Sequence, residues 1–149
     1  MKKTISINEW HRLALEGEAP SVRILLNGNS MFPLVRKNKD YVTIDQLEQE
    51  FQVGDIVLFH ESKMGKYVVH RLWEIRDDQV LTWGDNCSFP DACFPKEAIW
   101  GKVTLIEHGR RQIIPKPKRG IRWAKFWHKT GKVYRWLGRL WHGIVDRKK

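Results

Sequence analysis

From residue 21 to residue 114 the chain never settles into a helical period. Short segments rich in β-branched and aromatic residues recur at 21–27, 41–45, 54–60, 66–75, 79–83, 101–107 and 110–114, with Gly, Asp, Asn or Pro between them. A chain divided this way has to pair its segments into sheet, so residues 1–114 are expected to form one compact, mainly β domain. A chain of 149 residues buries roughly two-thirds of the surface its unfolded state exposes, enough for a real core.

Both ends depart from the β pattern. Ser6-Ile7-Asn8-Glu9 has the form of a capping box, and Trp10, Leu13 and Ala14 follow at helical spacing. A short helix is therefore expected to run to Glu16, stopped by Gly17 and Pro20. At the other end, Pro115-Lys116-Pro117-Lys118-Arg119-Gly120 suggests a stiff hinge, after which the helical period returns, so 115–149 is expected to form a separate tail.

The tail also carries the charge. Of 27 Lys and Arg it holds twelve, against one acid, Asp146; it is therefore +11, the first 114 residues are −1, and the whole is +10. Between Ile121 and Val145, at about 100° per residue, one arc collects Trp123, Phe126, Trp127, Thr130, Val133, Tyr134, Leu137, Leu140, Trp141, Ile144 and Val145. Arg122, Lys125, Lys129, Lys132, Arg135 and Arg139 take the other side. This basic amphipathic helix suits an anionic membrane surface, with residues 121–145 as the contact. Two alternatives stand beside it: the stripe packs on the β domain, or the face binds nucleic acid, which the clean segregation of the two faces disfavours. Gly131, Gly138 and Gly143 are expected to weaken the helix by about 1 kcal/mol each.

The opening residues lack the apolar run of a secretory signal, and no window approaches about 20 apolar residues. The expected location is the cytoplasm, peripheral on the inner face of the membrane. Cys87 and Cys93 are then expected to be free thiols. Without a surrounding His or Cys cluster they make a poor zinc site, and no metal or cofactor is expected.

Three segments can carry chemistry. Gly28-Asn29-Ser30-Met31-Phe32-Pro33 sets a small hydroxyl on a Gly-started turn after an apolar strand, where free amide N–H groups can face an oxyanion. The plain alternative is an ordinary strand-joining turn. A serine needs a base, and the best candidate is His70, which alternation puts on one strand face with Val68 and Leu72. That apolar setting is expected to keep the ring neutral near pH 7; His11, His60, His108, His128 and His142 lack it. The alternative is a core histidine. The third segment, Trp83-Gly84-Asp85-Asn86-Cys87-Ser88-Phe89-Pro90-Asp91, offers two carboxylates to orient the base, although Asp85 in a Gly-Asp-Asn turn also suits bonding to its own backbone.

In order, Gly28-x-Ser30-Met31-x-Pro33, Gly54-Asp55-Ile56-Val57-Leu58-Phe59, Val69-His70-Arg71-Leu72, Gly84-Asp85-Asn86 and Gly101-Lys102-Val103 resemble the type I signal peptidase family and its relatives, the self-cleaving LexA-like repressors. The likeness covers residues 21 to 107. It implies a signal-peptidase/LexA-like β domain and a serine endopeptidase that cleaves a leader or precursor peptide, with Ser30 as nucleophile and His70 as base. Where bacterial housekeeping members carry a lysine, His70 resembles the archaeal and endoplasmic-reticulum branch. That branch has an Asp six residues after its Gly-Asp-Asn aspartate, here Asp91, which the resemblance implies as orienting acid with Asp85 in support. Lys66 shares the face of His70 but lies about 13 Å along the strand, too far to join it. Two departures stand out: Gly28 replaces the hydroxyl residue common two positions before the nucleophile, and the usual transmembrane anchor is missing. The competing functions are a noncatalytic membrane-surface adaptor and a LexA-like self-cleaving regulator, although residues 1–20 are too short for a helix-turn-helix.

Overall fold

The computed structural model describes residues 6–18, 21–46 and 50–145, with side chains of the last helix described to residue 131. Helix α1 (Ile7–Leu15) opens on Ser6, whose hydroxyl accepts from the Glu9 amide, and ends before Gly17, whose φ of 75° favours glycine. Pro20, expected to help stop it, falls outside the described residues.

Eight strands follow: β1 (Ser21–Leu25), β2 (Tyr41–Gln46), β3 (Ile56–Glu61), β4 (Lys66–Arg76), β5 (Gln79–Trp83), β6 (Phe94–Pro95), β7 (Ile99–His108) and β8 (Arg111–Ile113). They form one antiparallel sheet in the order β1-β2-β7-β3-β4-β5-β6, with β8 against the end of β7. The mainly β architecture expected from the period is therefore present, with a short helix before it and a long one after. Only β6, two residues beside Val80, had no alternating pattern to announce it.

Both faces of the sheet are covered at its centre. On one side Trp10 and Ala14 of α1 pack with Met31, Val35, Val42, Ile44, Leu58, Val69 and Ile106; on the other Val57, Phe59, Leu72, Val80 and Ile99 form a second cluster. Each such side chain contributes on the order of 1.5–3 kcal/mol of transfer free energy.

The last helix, α2 (Pro117–Val145), corrects the expected hinge. Proline fits the first helical turn, where its missing N–H has no partner to lose, so Pro117 starts the helix inside the supposed linker. Its first half is also seated on the β body: Ala124 and His128 are buried, and His128 lies against the rings of Trp73 and Trp83. The seam runs through Gly120, Ala124, His128 and Gly131, small or compact residues at helical spacing. Trp123 and Phe126, from the expected stripe, remain 41% and 57% exposed. The helix thus packs on the body through a seam outside the expected stripe, while Trp123 and Phe126 of the stripe face outward; the stripe residues from Val133 onward fall outside the described side chains.

Candidate active site

Ser30 sits where an apolar strand gives way to a turn pinned from both sides. Immediately after it Met31 is buried, Phe32 N–H donates to Asn29 O and Val35 N–H to Met31 O, so the turn cannot drift from the core. Across the sheet, Asn86 N–H donates to Ser30 O at 2.7 Å and the Asn86 amide to Asn29 O at 3.2 Å. The polar Gly84-Asp85-Asn86 turn therefore grips the serine turn directly. Gly28 has no atom within 4 Å of the place a Cβ would occupy and its φ is unexceptional, so the turn does not need glycine there for its backbone.

His70 is buried, with its ring edge toward Phe59 on the second cluster's side of β4. Nδ1 lies 2.6 Å from Asp91 Oδ2, and the Thr82 hydroxyl donates to the same oxygen, also at 2.6 Å. Asp91 is held in place by its own amide, which donates to Thr82 O. A carboxylate so fixed keeps the Nδ1 proton in place and leaves Nε2 to face the cleft.

The expected neutral ring does not hold. Burial disfavours the imidazolium, but the Asp91 carboxylate and the nearby Cys87 sulfur outweigh it and raise the pKa of His70 from 6.5 to about 9. The apolar face was visible in the strand pattern; the carboxylate and sulfur facing the ring come from a distant loop.

Asp85 goes elsewhere. It is fully buried and takes a bidentate pair from Arg71, Nε at 2.9 Å and Nη2 at 2.7 Å, while Arg71 Nη1 donates to Gly54 O. Asp85 therefore supports the turn through Arg71 and does not contact His70; of the two carboxylates the segment offers, Asp91 is the one that meets the ring. Arg71 also meets α2: a Cβ on Gly120 would fall 2.3 Å from Nη1.

Three residues at the site had been given no role there from sequence. Thr82 acts across strands, and no spacing rule marks it. The other two are adjacent to Nε2. A Cβ on Gly84 would lie 2.9 Å from Nε2, 2.9 Å from Ser30 O and 2.6 Å from Cys87 Sγ, so only glycine fits between these groups. Cys87 Sγ itself stands 3.9 Å from Nε2. Ser30 Oγ makes no hydrogen bond to His70 among the described residues.

Ser30, His70, Cys87 and Asp91 line a cleft of about 840 Å³. One wall is the end of β1 and the residues after it, from Ile24 to Gly28; the other is residues 66–70 of β4, with Met31 and Leu58 below. Lys66 lines the far end, away from His70. Among the described residues each wall is a strand with a free edge: β1 pairs only with β2, and β4 meets β5 only from Arg71 onward. Among the described residues no group of three His, Cys, Asp or Glu side chains is placed to hold a metal ion.

No model of a known protein family matches this chain, and no curated protein is significantly similar to it.

Proposed function

We propose that the chain is a serine endopeptidase that cleaves a leader or precursor peptide presented at the inner face of a membrane. The observation that carries this reading is the 2.6 Å His70–Asp91 contact opening on a cleft that Ser30 also lines. An extended peptide can add as a strand between the free edges of β1 and β4, its main chain hydrogen-bonded and its alternate side chains in the apolar floor. Its scissile carbonyl then lies over Ser30. Oγ attacks as its proton passes to Nε2; Asp91 holds the imidazolium through Nδ1 and later steadies it as it protonates the leaving amine. The Ser30 amide serves as a donor for the oxyanion.

A second reading, a noncatalytic adaptor at a membrane surface, is favoured by one observation, the outward Trp123 and Phe126 amid exposed lysines and arginines. No helix among the described residues is long and apolar enough to cross a membrane.

The two part on proteolysis. With a panel of precursor peptides, the intact chain is expected to turn over substrate, Ser30→Ala to abolish cleavage and His70→Ala to reduce it nearly as far, since nucleophile and base act as one unit. Asp91→Asn should cost less. Unchanged turnover by a clean Ser30→Ala preparation sinks the nucleophile assignment, and no turnover by any variant favours the adaptor. A concentration-independent cut within the chain would point to self-cleavage.

A further inference from the structure

The turn that grips Ser30 is itself tied to α2. Asn86 N–H donates to Ser30 O and its side-chain amide to Asn29 O, while Gly84 fits between Ser30 O and His70 Nε2. Residues 84–86 therefore fix the spacing of nucleophile and base. Two contacts carry this turn back to the helix. In the first, buried Asp85 takes its bidentate pair from Arg71, whose Nη1 donates to Gly54 O. Nη1 lies between Gly54 and Gly120, and neither glycine has room for a Cβ: on Gly120 it would strike Nη1, on Gly54 the Pro117 carbonyl. In the second, His128, about two turns further along α2, has its ring centroid 4.1 Å from that of Trp83. The Trp83 indole N–H donates to Cys87 O across the same turn, and the Cys87 amide donates to Gly84 O. The guanidinium cannot swing away from an intruding methyl without leaving Asp85, and a buried carboxylate stripped of its partner is costly. The positions of α2 and of the turn are thus set together.

We infer that α2 is a positioning element of the site: Gly120, through Arg71 and Asp85, and His128, through Trp83, hold the 84–87 turn that sets Ser30 against His70. The effect on turnover rests on the proposed function, whereas the mechanical link from α2 to Ser30 does not.

The test uses the full chain with Gly120→Ala, His128→Ala and His128→Phe, and for comparison Val42→Ala, a truncation in the cluster under α1. Amide hydrogen exchange reads the link at Asn86, bonded to Ser30 O, against Val35, whose N–H is bonded to Met31 O within the serine turn. Gly120→Ala and His128→Ala should speed exchange at Asn86 about tenfold more than at Val35, because the turn opens locally while the rest stays folded. His128→Phe keeps a ring against Trp83 and should stay close to the wild type. Val42→Ala weakens the whole fold, so both amides should speed up together. In the peptidase assay, Gly120→Ala and His128→Ala should lose about ten- to a hundredfold in kcat with KM little changed, since a displacement of about 1 Å suffices for such a loss. Equal acceleration at Asn86 and Val35 in Gly120→Ala overturns the link; if that variant does not fold, the same comparison in His128→Ala decides. Matching losses in His128→Ala and His128→Phe remove His128 from it. Selective exchange at Asn86 with kcat unchanged overturns the positioning role. Selective exchange in a protein that cleaves no peptide upholds the link and tells against the peptidase reading alone.

Discussion

Two aspartates six residues apart in one loop do different work, and the difference is measurable. Asp85 neutralises the buried Arg71 guanidinium, so Asp85→Ala leaves that charge alone in the interior. Breaking such a pair costs about 3–5 kcal/mol, and thermal unfolding should show a drop on the order of 10 °C or more. Asp91 is partly exposed and serves His70, so Asp91→Ala should lower the melting point far less while depressing proteolysis. Equal losses of stability would mean that the two have been given the wrong partners. The pH profile tests the same ring. With its pKa near 9, His70 is charged at neutrality, and kcat/KM should rise with pH toward a midpoint near 9. Both Asp91→Asn and Cys87→Ala should lower that midpoint, since each removes a group that favours the charged form. Because the folded value exceeds the unfolded 6.5, the His70 contribution to stability is fully present below pH 6.5 and is lost as pH rises through about 9. His70→Gln should flatten that part of the stability curve; a slope unchanged in the variant assigns it to another group. Ser30, His70 and Asp91 were legible as residue types within motifs. The charge state was not, since it depends on Asp91 and Cys87, 21 and 17 positions further along the chain.

At the level of elements, the strands other than β6 were legible because each side of the sheet has a core to fill, so period and chemistry agreed. Helix α2 was legible as a helix but its inner face was misjudged. Gly131 looked like a weakness, yet it is buried on the seam, and Gly120 lets the helix meet Arg71 where any side chain would collide. Hydrophobic pattern selects the greasiest arc, while close seating on a flat sheet selects the smallest residues, and here the two arcs differ. Two truncations separate seat from stripe. A chain ending at residue 131 keeps Ala124 and His128 on Trp73 and Trp83, and should melt within a few degrees of the full protein. A chain ending at residue 116 uncovers those tryptophans and removes the helix from Arg71, and should lose several kcal/mol or fail to fold. Equal stability of the two fragments would return the whole helix to the status of a separate tail.

Across the whole molecule, charge and exposed aromatics converge on one element. The first 114 residues are close to neutral, whereas α2 and the residues flanking it carry +11; on its described part Lys118, Arg119, Arg122, Lys125 and Lys129 are exposed together with Trp123 and Phe126. Since the seam holds the first part of the helix to the body, the membrane reading has its outward face approach a bilayer together with that body. Each Lys or Arg close to an anionic leaflet is worth about 1 kcal/mol, so five of them supply an attraction on the order of 5 kcal/mol before any ring inserts. That attraction is screened beyond about 8 Å at physiological ionic strength, whereas ring insertion is not. The full chain should therefore sediment with anionic vesicles at low salt and retain part of its binding at high salt, with a blue shift in tryptophan emission. Replacing Trp123 and Phe126 with Ser should leave attachment at low salt and abolish it at high salt. Replacing the five cations with Gln, which leaves seven of the twelve, should weaken attachment most at low salt. A full chain that stays in the supernatant with anionic vesicles at low salt would end the membrane reading and leave the exposed aromatic face for a protein partner.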